Sequence, residues 1–320
     1  MKITRNFVLF KLPNQTEFTY WSLGNQENEK YFVFHSFDNK TTRRLFNKSE
    51  LKLSFEEVSK LQIDLNLNSE PENLEESYQN YIQKCNFFID ALKKKELDKV
   101  ILSRMKLVDL PQNLAEHLVK LGKKYPSAMI YLANFDDETW MGASPEKLVQ
   151  IQNNQLTTVA LASTKAISEN REWTEKERKE HQLVVDYIAD NLSKFSFNIE
   201  ETKTIDLGEL QHLKTEFSAN IDSEVSIEKI SNLLHPTPAV CGMPKKKAHE
   251  FILENENYDR SFYTGYFGLV SEKNSEIYVN LRCAQLFENK MAVYVGGGLL
   301  AESIPENEWQ ETELKSRALM

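Results

Sequence analysis

Apolar and polar positions alternate from the start of the chain. The runs NFVLFKL, EFTYWSL and KYFVFHSF are aromatic-rich and predict three short strands joined by polar turns. A polar stretch, NLNSEPENLEES, then predicts a loop over residues 65–77 before a helix near 75–95. DKVILSRMKLVDL (98–110) alternates and is β-branched, so it reads as a strand, followed by a helix at 113–123. AMIYLANF, TWMGAS, KLVQIQ and LTTVALAS continue as strands, with a turn at Asn153-Asn154. Helical periodicity returns at 174–195, 226–234 and 245–254, with strand or loop at 205–216 and a proline-rich loop, LHPTPAVCGMP, at 234–244. FYTGYFGLVSE, EIYVNLRCAQLF and MAVYVGGG form a closing meander before a terminal helix. Strands broken by helices, without regular βαβ alternation, predict an α+β fold with mixed or antiparallel sheets.

Helix ends bring in the first chemistry. Thr174 with Glu177, and Ser303 with Glu306 behind Pro305, read as capping boxes, which starts the last helix at Ile304. On that helix Glu308, Glu311 and Lys315 share one face, flanked by Leu314 and Ala318, while Glu302, Glu306 and Glu313 point to solvent. Glu180 extends the stripe Leu183, Val184, Tyr187, Ile188 and Leu192 by one turn. Two inward carboxylates on separate helices suit a hard cation such as Mg²⁺. A basic partner at the rim fits the same spacing, because a lone buried charge is costly. Lys99 at a strand start, Glu146 after a proline, and Arg282 in phase with Asn280 and Tyr278 are further polar residues out of place. Each is open to a structural reading, as are His212 and His235.

Composition narrows the class. With 320 residues, 41% hydrophobic and 27% charged, the chain can bury a sizeable core, and 10 Gly and 9 Pro leave little for flexible linkers. A net charge of −9 argues against nucleic acid as a partner. Cys85, Cys241 and Cys283 are widely spaced and odd in number, which fits a reducing, cytoplasmic compartment. No apolar run is long enough for a membrane span or a secretory signal. The lysine triplets at 93–95 and 245–247 read as solvated helix surface.

Taken in chain order, KVILSR, GASPEKL, ALAST, KERKEH, LQHL, LHPTPAVCGMP, RSFYTGYFG, LRCAQL and GGGLLAESIPENEWQETELK resemble the chorismate-utilising enzymes. That family includes isochorismate, anthranilate, aminodeoxychorismate and salicylate synthases. The blocks cover 98–320, and residues 1–95 look like an abbreviated part of the same single domain. The resemblance implies a two-sheet α+β sandwich with helices packed outside. It implies a Mg²⁺ site at Glu180, Glu311 and Glu308. Chorismate would be held by Ser163, Thr164, His212, Arg282, Lys315 and the glycine-rich turn Gly296, Gly297 and Gly298, with Ala239, Val240 and Tyr263 against the ring. Lys99 would be the general base and Glu146 the general acid, adding water at ring C2 as the C4 hydroxyl leaves. Lys99, where water-using members carry a lysine base, points to the isochorismate synthases, and Ala162, where aminodeoxychorismate synthases carry a covalent lysine, disfavours those synthases; salicylate synthase and an inactive chorismate binder are the alternatives. No amidotransferase subunit is implied, a monomer is expected, and the pathway is menaquinone or catechol siderophore synthesis. Two departures stand out: Ser163 replaces the family glycine, and GGG replaces the commoner GAG.

Overall fold

Every residue of Phe7–Lys11 is buried, because both of its faces are covered. Val8 and Phe10 join an inner layer with Phe32, Phe34, Tyr131 and Phe267, while Phe7 and Leu9 pack outward against Leu118 and Val58. That alternation sets the layers of the whole molecule.

The computed structural model describes residues 1–71, 75–207, 210–222 and 224–320, without the side chains of Thr164, Ala166, Leu207 and Leu210. The chain opens with β1 (Lys2–Ile3), β2 (Phe7–Lys11), β3 (Glu17–Gly24), β4 (Tyr31–His35), β5 (Thr42–Ser54), α1 (Phe55–Ser59), β6 (Gln62–Ile63) and α2 (Tyr78–Lys93). Next come β7 (Lys99–Asp109), α3 (Leu114–Lys124), β8 (Met129–Phe135), β9 (Glu138–Ser144), β10 (Lys147–Gln152), β11 (Gln155–Ala166) and α4 (Glu175–Asn191). β12 (Phe197–Ile199), β13 (Lys203–Leu207), β14 (Leu210–Asn220), α5 (Ile227–Leu234), β15 (Gly242–Met243) and α6 (Lys245–Asn255) follow. β16 (Tyr266–Val270), β17 (Asn274–Val279), β18 (Cys283–Leu286), β19 (Lys290–Leu299) and α7 (Pro305–Ser316) complete it.

One sheet runs β15-β7-β19-β18-β9-β8-β2-β3-β5, and the other β5-β4-β16-β17-β10-β11-β14, with β12 and β13 on the far edge of β14. Every pairing in both is antiparallel, and the small β1–β6 pair is parallel. β5 belongs to both sheets: Phe46–Ser54 pair with β3 and Thr42–Phe46 with β4. The expected α+β sandwich is present. Helices α1 and α3 cover the outside of the first sheet, and α4 and α5 the outside of the second. Helices α2 and α6 close over β7.

Two neighbouring segments carry the chain from one sheet to the other. β9 passes into β10 through Pro145-Glu146, and β17 into β18 through Asn280-Leu281-Arg282. They are stitched by Ala143 N–H to the Arg282 carbonyl (2.9 Å), Val279 N–H to the Glu146 carbonyl (3.0 Å) and the Ser144 hydroxyl to the Val279 carbonyl (2.6 Å). EIYVNLRCAQLF is therefore two strands rather than one. Arg282 sits at the bend between them with φ 47°, so the alternation expected with Asn280 and Tyr278 is lost. The stretch 205–216 resolves into β13 and β14, a polar strand at 42–54 went unpredicted, and α4 ends at Asn191.

Candidate active site

Lys99 opens β7, where its neighbour across the pair is Met243 of β15. Burial pushes its ammonium below the ordinary range and Lys315 adds to that push, while Glu180, Glu146 and Glu311 resist it. Four charged groups from three other parts of the chain thus converge electrostatically on one lysine. Glu146 answers it in the opposite sense: burial raises its carboxyl to about 7, against the pull of Lys99. A group that gives up its proton near neutrality and a lysine easily made neutral are the pair that general acid–base chemistry needs.

The three glycines supply space rather than a turn. They lie inside β19, with Gly296, Gly297 and Gly298 opposite Ser103, Leu102 and Ile101 of β7. On the other edge β18 extends only to the partner of Val293, so among the described residues Gly296–Gly298 have no strand neighbour there. A Cβ on Gly297 would sit 3.1 Å from Glu308 Oε2 and 3.8 Å from Glu311 Oε1. A Cβ on Gly298 would sit 3.0 Å from Lys99 Cε, and one on Gly296 3.0 Å from the Tyr263 hydroxyl oxygen. Successive glycines therefore make room for the acidic face and for Lys99. Gly298→Ala is expected to displace Lys99 and lower turnover about ten-fold with the melting temperature nearly unchanged, as steady-state kinetics and thermal unfolding would show.

Helix α7 brings the carboxylates. Its N-cap is Ile304 with no side-chain cap, so the expected Ser303–Glu306 box does not form; Ser303 Oγ accepts from Leu300 N–H instead (3.1 Å). Glu308 is half-buried, its Oε2 has no hydrogen-bond partner among the described residues, and burial raises its carboxyl against a bond from Ser303, with Glu311 adding to the rise and Lys315 opposing it. Lys315 Nζ reaches both Glu311 Oε1 (2.6 Å) and the Gly296 carbonyl (2.9 Å). Leu314 is exposed, as is Leu183 on α4; the buried positions are Thr312 and Ser316 on α7, and His181, Val185, Tyr187 and Ile188 on α4. Glu313 is not solvated as expected. It binds Arg104 and, at 2.6 Å, Lys106. Arg104 is fully buried, donates to Thr312 Oγ1 (2.8 Å) and lies 3.8 Å from the centre of the Trp309 ring. These contacts clamp α7 onto β7. Glu313→Ala leaves that guanidinium without its carboxylate and should cost about 2 kcal/mol in urea unfolding.

The other expected residues divide. Tyr263 is buried and stacked on Tyr294 at 5.3 Å, and Val240 is buried in a separate cluster, while Ala239 is exposed and lines a cavity of about 250 Å³ that Glu146 also lines. Glu180 is 44% exposed and 4.0 Å from Lys176, so the rim partner foreseen for it is there, though loosely held. Ser163 and Thr164 form a bulge in β11, where Thr164 pairs with His212; the Thr164 side chain lies outside the described residues. Burial lowers the His212 pKa against a bond to the Ser163 backbone. Arg282 is not drawn to the carboxylates: its exposed guanidinium lies 5.5 Å from the centre of the Tyr125 ring.

Sequence reasoning missed the buried pair Glu256–Arg260, both 2% exposed in their side chains. Arg260 donates to the carbonyls of Ile101 (2.9 Å) and Val240 (3.0 Å), and Glu256 accepts from Ser103 N–H (2.6 Å) and Oγ (2.7 Å). It fixes β7 against the segment bearing Val240. Glu256 is the C-cap of α6 and Arg260 lies four residues beyond it, outside the helix, so no helical spacing signalled the pair.

Among the described residues no three His, Cys, Asp or Glu side chains already converge as a metal site. The donors nevertheless fit Mg²⁺, which takes one or two carboxylates and fills its remaining positions with water and substrate oxygen. The unpartnered Glu308 Oε2 and the room above Gly297 are what such an ion would use.

Fold and site together define an antiparallel α+β sandwich in which Lys99 and Glu146 carry opposed pKa shifts and Lys99 feels the charges of an acidic helix face. The chain matches the family described as "Chorismate binding enzyme" over residues 14–320, and it belongs to that family. It is 33% identical over 254 residues to the isochorismate synthase MenF of Haemophilus influenzae, covering 74% of this chain and 59% of that one. It is 32% identical over 249 residues to the salicylate biosynthesis isochorismate synthase of Pseudomonas aeruginosa, covering 72% and 52%. The matched stretch thus spans little more than half the length of these relatives. The structure of the menaquinone-specific isochorismate synthase MenF from Escherichia coli superposes with a TM-score of 0.84 at 22% identity, covering 99% of this chain and 88% of that one. Anthranilate synthase component I from Streptococcus pneumoniae gives 0.76 at 18% identity, covering 98% and 90%. Both share the fold. No helix among the described residues is long and apolar enough to cross a membrane.

Proposed function

We propose that this chain converts chorismate to isochorismate, as the names of its relatives suggest. The observation that carries the reading is the opposed pair: Lys99 pushed toward neutrality and Glu146 held near pH 7 in one site. Neutral Lys99 takes a proton from water as its oxygen bonds to ring C2. The two ring double bonds each move one position, and the C4 hydroxyl departs as water with the Glu146 proton. Lys99 ends protonated and Glu146 ionised, and exchange with solvent restores both.

A bound Mg²⁺ supplies charge neutralisation for the substrate carboxylate. Glu180, Glu308 and Glu311 are the residues to hold it. Lys315, already on the Gly296 carbonyl, offers a cation to the second carboxylate, and the unpaired edge of β19 offers backbone groups. Arg282 reaches a substrate carboxylate only by leaving the Tyr125 ring.

Incubating purified protein with chorismate, with and without Mg²⁺, and separating the products by chromatography tests this. Isochorismate that forms only with Mg²⁺ and stops at a reversible plateau is the expected result. Salicylate plus pyruvate would mean a different enzyme in the same site, and untouched chorismate would overturn the reading.

A further inference from the structure

Ser163 occupies an unusual place in β11. Its φ is 61°, in the left-handed region, and the register with β14 shifts between Ala162 and Thr164. Few non-glycine residues sit there without a compensating contact. The contact is specific: Ser163 Oγ donates to the main-chain carbonyl of Glu177 at 2.6 Å. A carbonyl has two lone pairs, so this bond does not displace the helical one.

Glu177 lies in the first turn of α4, and Glu180 lies one turn further along. None of the residues from Glu175 to Glu180 is buried. Trp173 is buried ahead of the cap, and His181 is buried behind Glu180 with its Nε2 2.8 Å from Thr215 Oγ1. Between those two anchors the bond from Ser163 ties the turn to the sheet. The same bulge meets His212 through the Ser163 backbone. The hydroxyl is thus turned onto the helix, away from a role in crowding a ligand.

We propose that Ser163 is a positioning residue for Glu180: it fixes the turn that carries this carboxylate, whose charge Lys99 feels together with that of Glu311, and so raises the affinity of the site for a divalent cation. The inference rests on Glu180 being a ligand in the proposed Mg²⁺ site. Ser163 acts through the helix and not on the ion.

The test measures Mn²⁺ binding by titration calorimetry in the absence of chorismate, for the wild-type chain, Ser163→Ala, Ser163→Gly and Glu180→Gln, with thermal unfolding alongside. Both Ser163 variants lose the hydroxyl, and the dissociation constant should rise about three- to ten-fold. Glycine adopts a positive φ freely, so Ser163→Gly should melt no lower than wild type. Weaker binding at equal or higher stability separates positioning from a structural role. Unchanged affinity in both variants overturns the role of Ser163 while the metal reading stands. A wild-type chain that binds no Mn²⁺, or Glu180→Gln binding as wild type, overturns the metal site or Glu180's part in it, and the inference with them.

Discussion

Lys99→Ala is expected to lower the proposed conversion of chorismate to isochorismate by about 10²–10⁴-fold, with the fold intact by circular dichroism. The reason is geometric as well as chemical. Lys99 Cε lies against Gly298, so an alanine leaves a gap where the amine stood. Glu146→Gln, which keeps shape and loses the transferable proton, should fall by a similar factor. The pH profile follows from the two shifts. In the proposed mechanism Glu146 acts protonated, and burial raises it to about 7, so the share of protein with this proton in place falls as pH rises through about 7. Lys99 acts neutral, and burial lowers its pKa, so the share with a free amine rises with pH. A bell whose maximum lies between the two groups is the expected curve. Near-wild-type turnover by Lys99→Ala would show that the base is elsewhere.

Glu256→Ala should have the largest effect on stability, about 3–5 kcal/mol in equilibrium urea unfolding. Arg260 is buried, and its Nε and Nη2 meet Glu256 Oε2 at 2.5 Å and Oε1 at 2.8 Å. Removing the carboxylate leaves a buried guanidinium with only carbonyls and the Thr264 hydroxyl, and leaves Ser103 N–H without its acceptor. The double variant Glu256→Ala/Arg260→Met should recover part of the loss, because the orphaned charge is what costs most. A loss below about 1 kcal/mol in the single variant would mean that water or a rearranged partner takes over the guanidinium.

Much of the fold was legible along the chain. The period-two runs became β2, β3, β4, β7, β8 and β9, and the Thr174–Glu177 box caps α4 through reciprocal bonds, as its four residues suggest. These are local signals, carried by neighbours within a turn or a strand. β5 escaped notice because a strand joining two sheets and largely facing solvent need not alternate cleanly. The Ser303–Glu306 box fails because Ser303 is used by Leu300 one residue before the cap.

The candidate site divides on the same line. Residue types, order and the shared face of Glu308, Glu311 and Lys315 are properties of the sequence, since helical spacing puts them together in any fold. Its resemblance to chorismate-utilising enzymes was likewise carried by short blocks in order. Only the tertiary structure decided the rest. Glu313 binds a guanidinium 209 positions away, Arg282 is turned aside by the bend between two sheets, and the glycines serve as a strand between an acidic face and a base. The opposed pKa shifts of Lys99 and Glu146 arise from burial, a quantity that no local pattern contains, because it depends on what the remote parts of the chain place over each group.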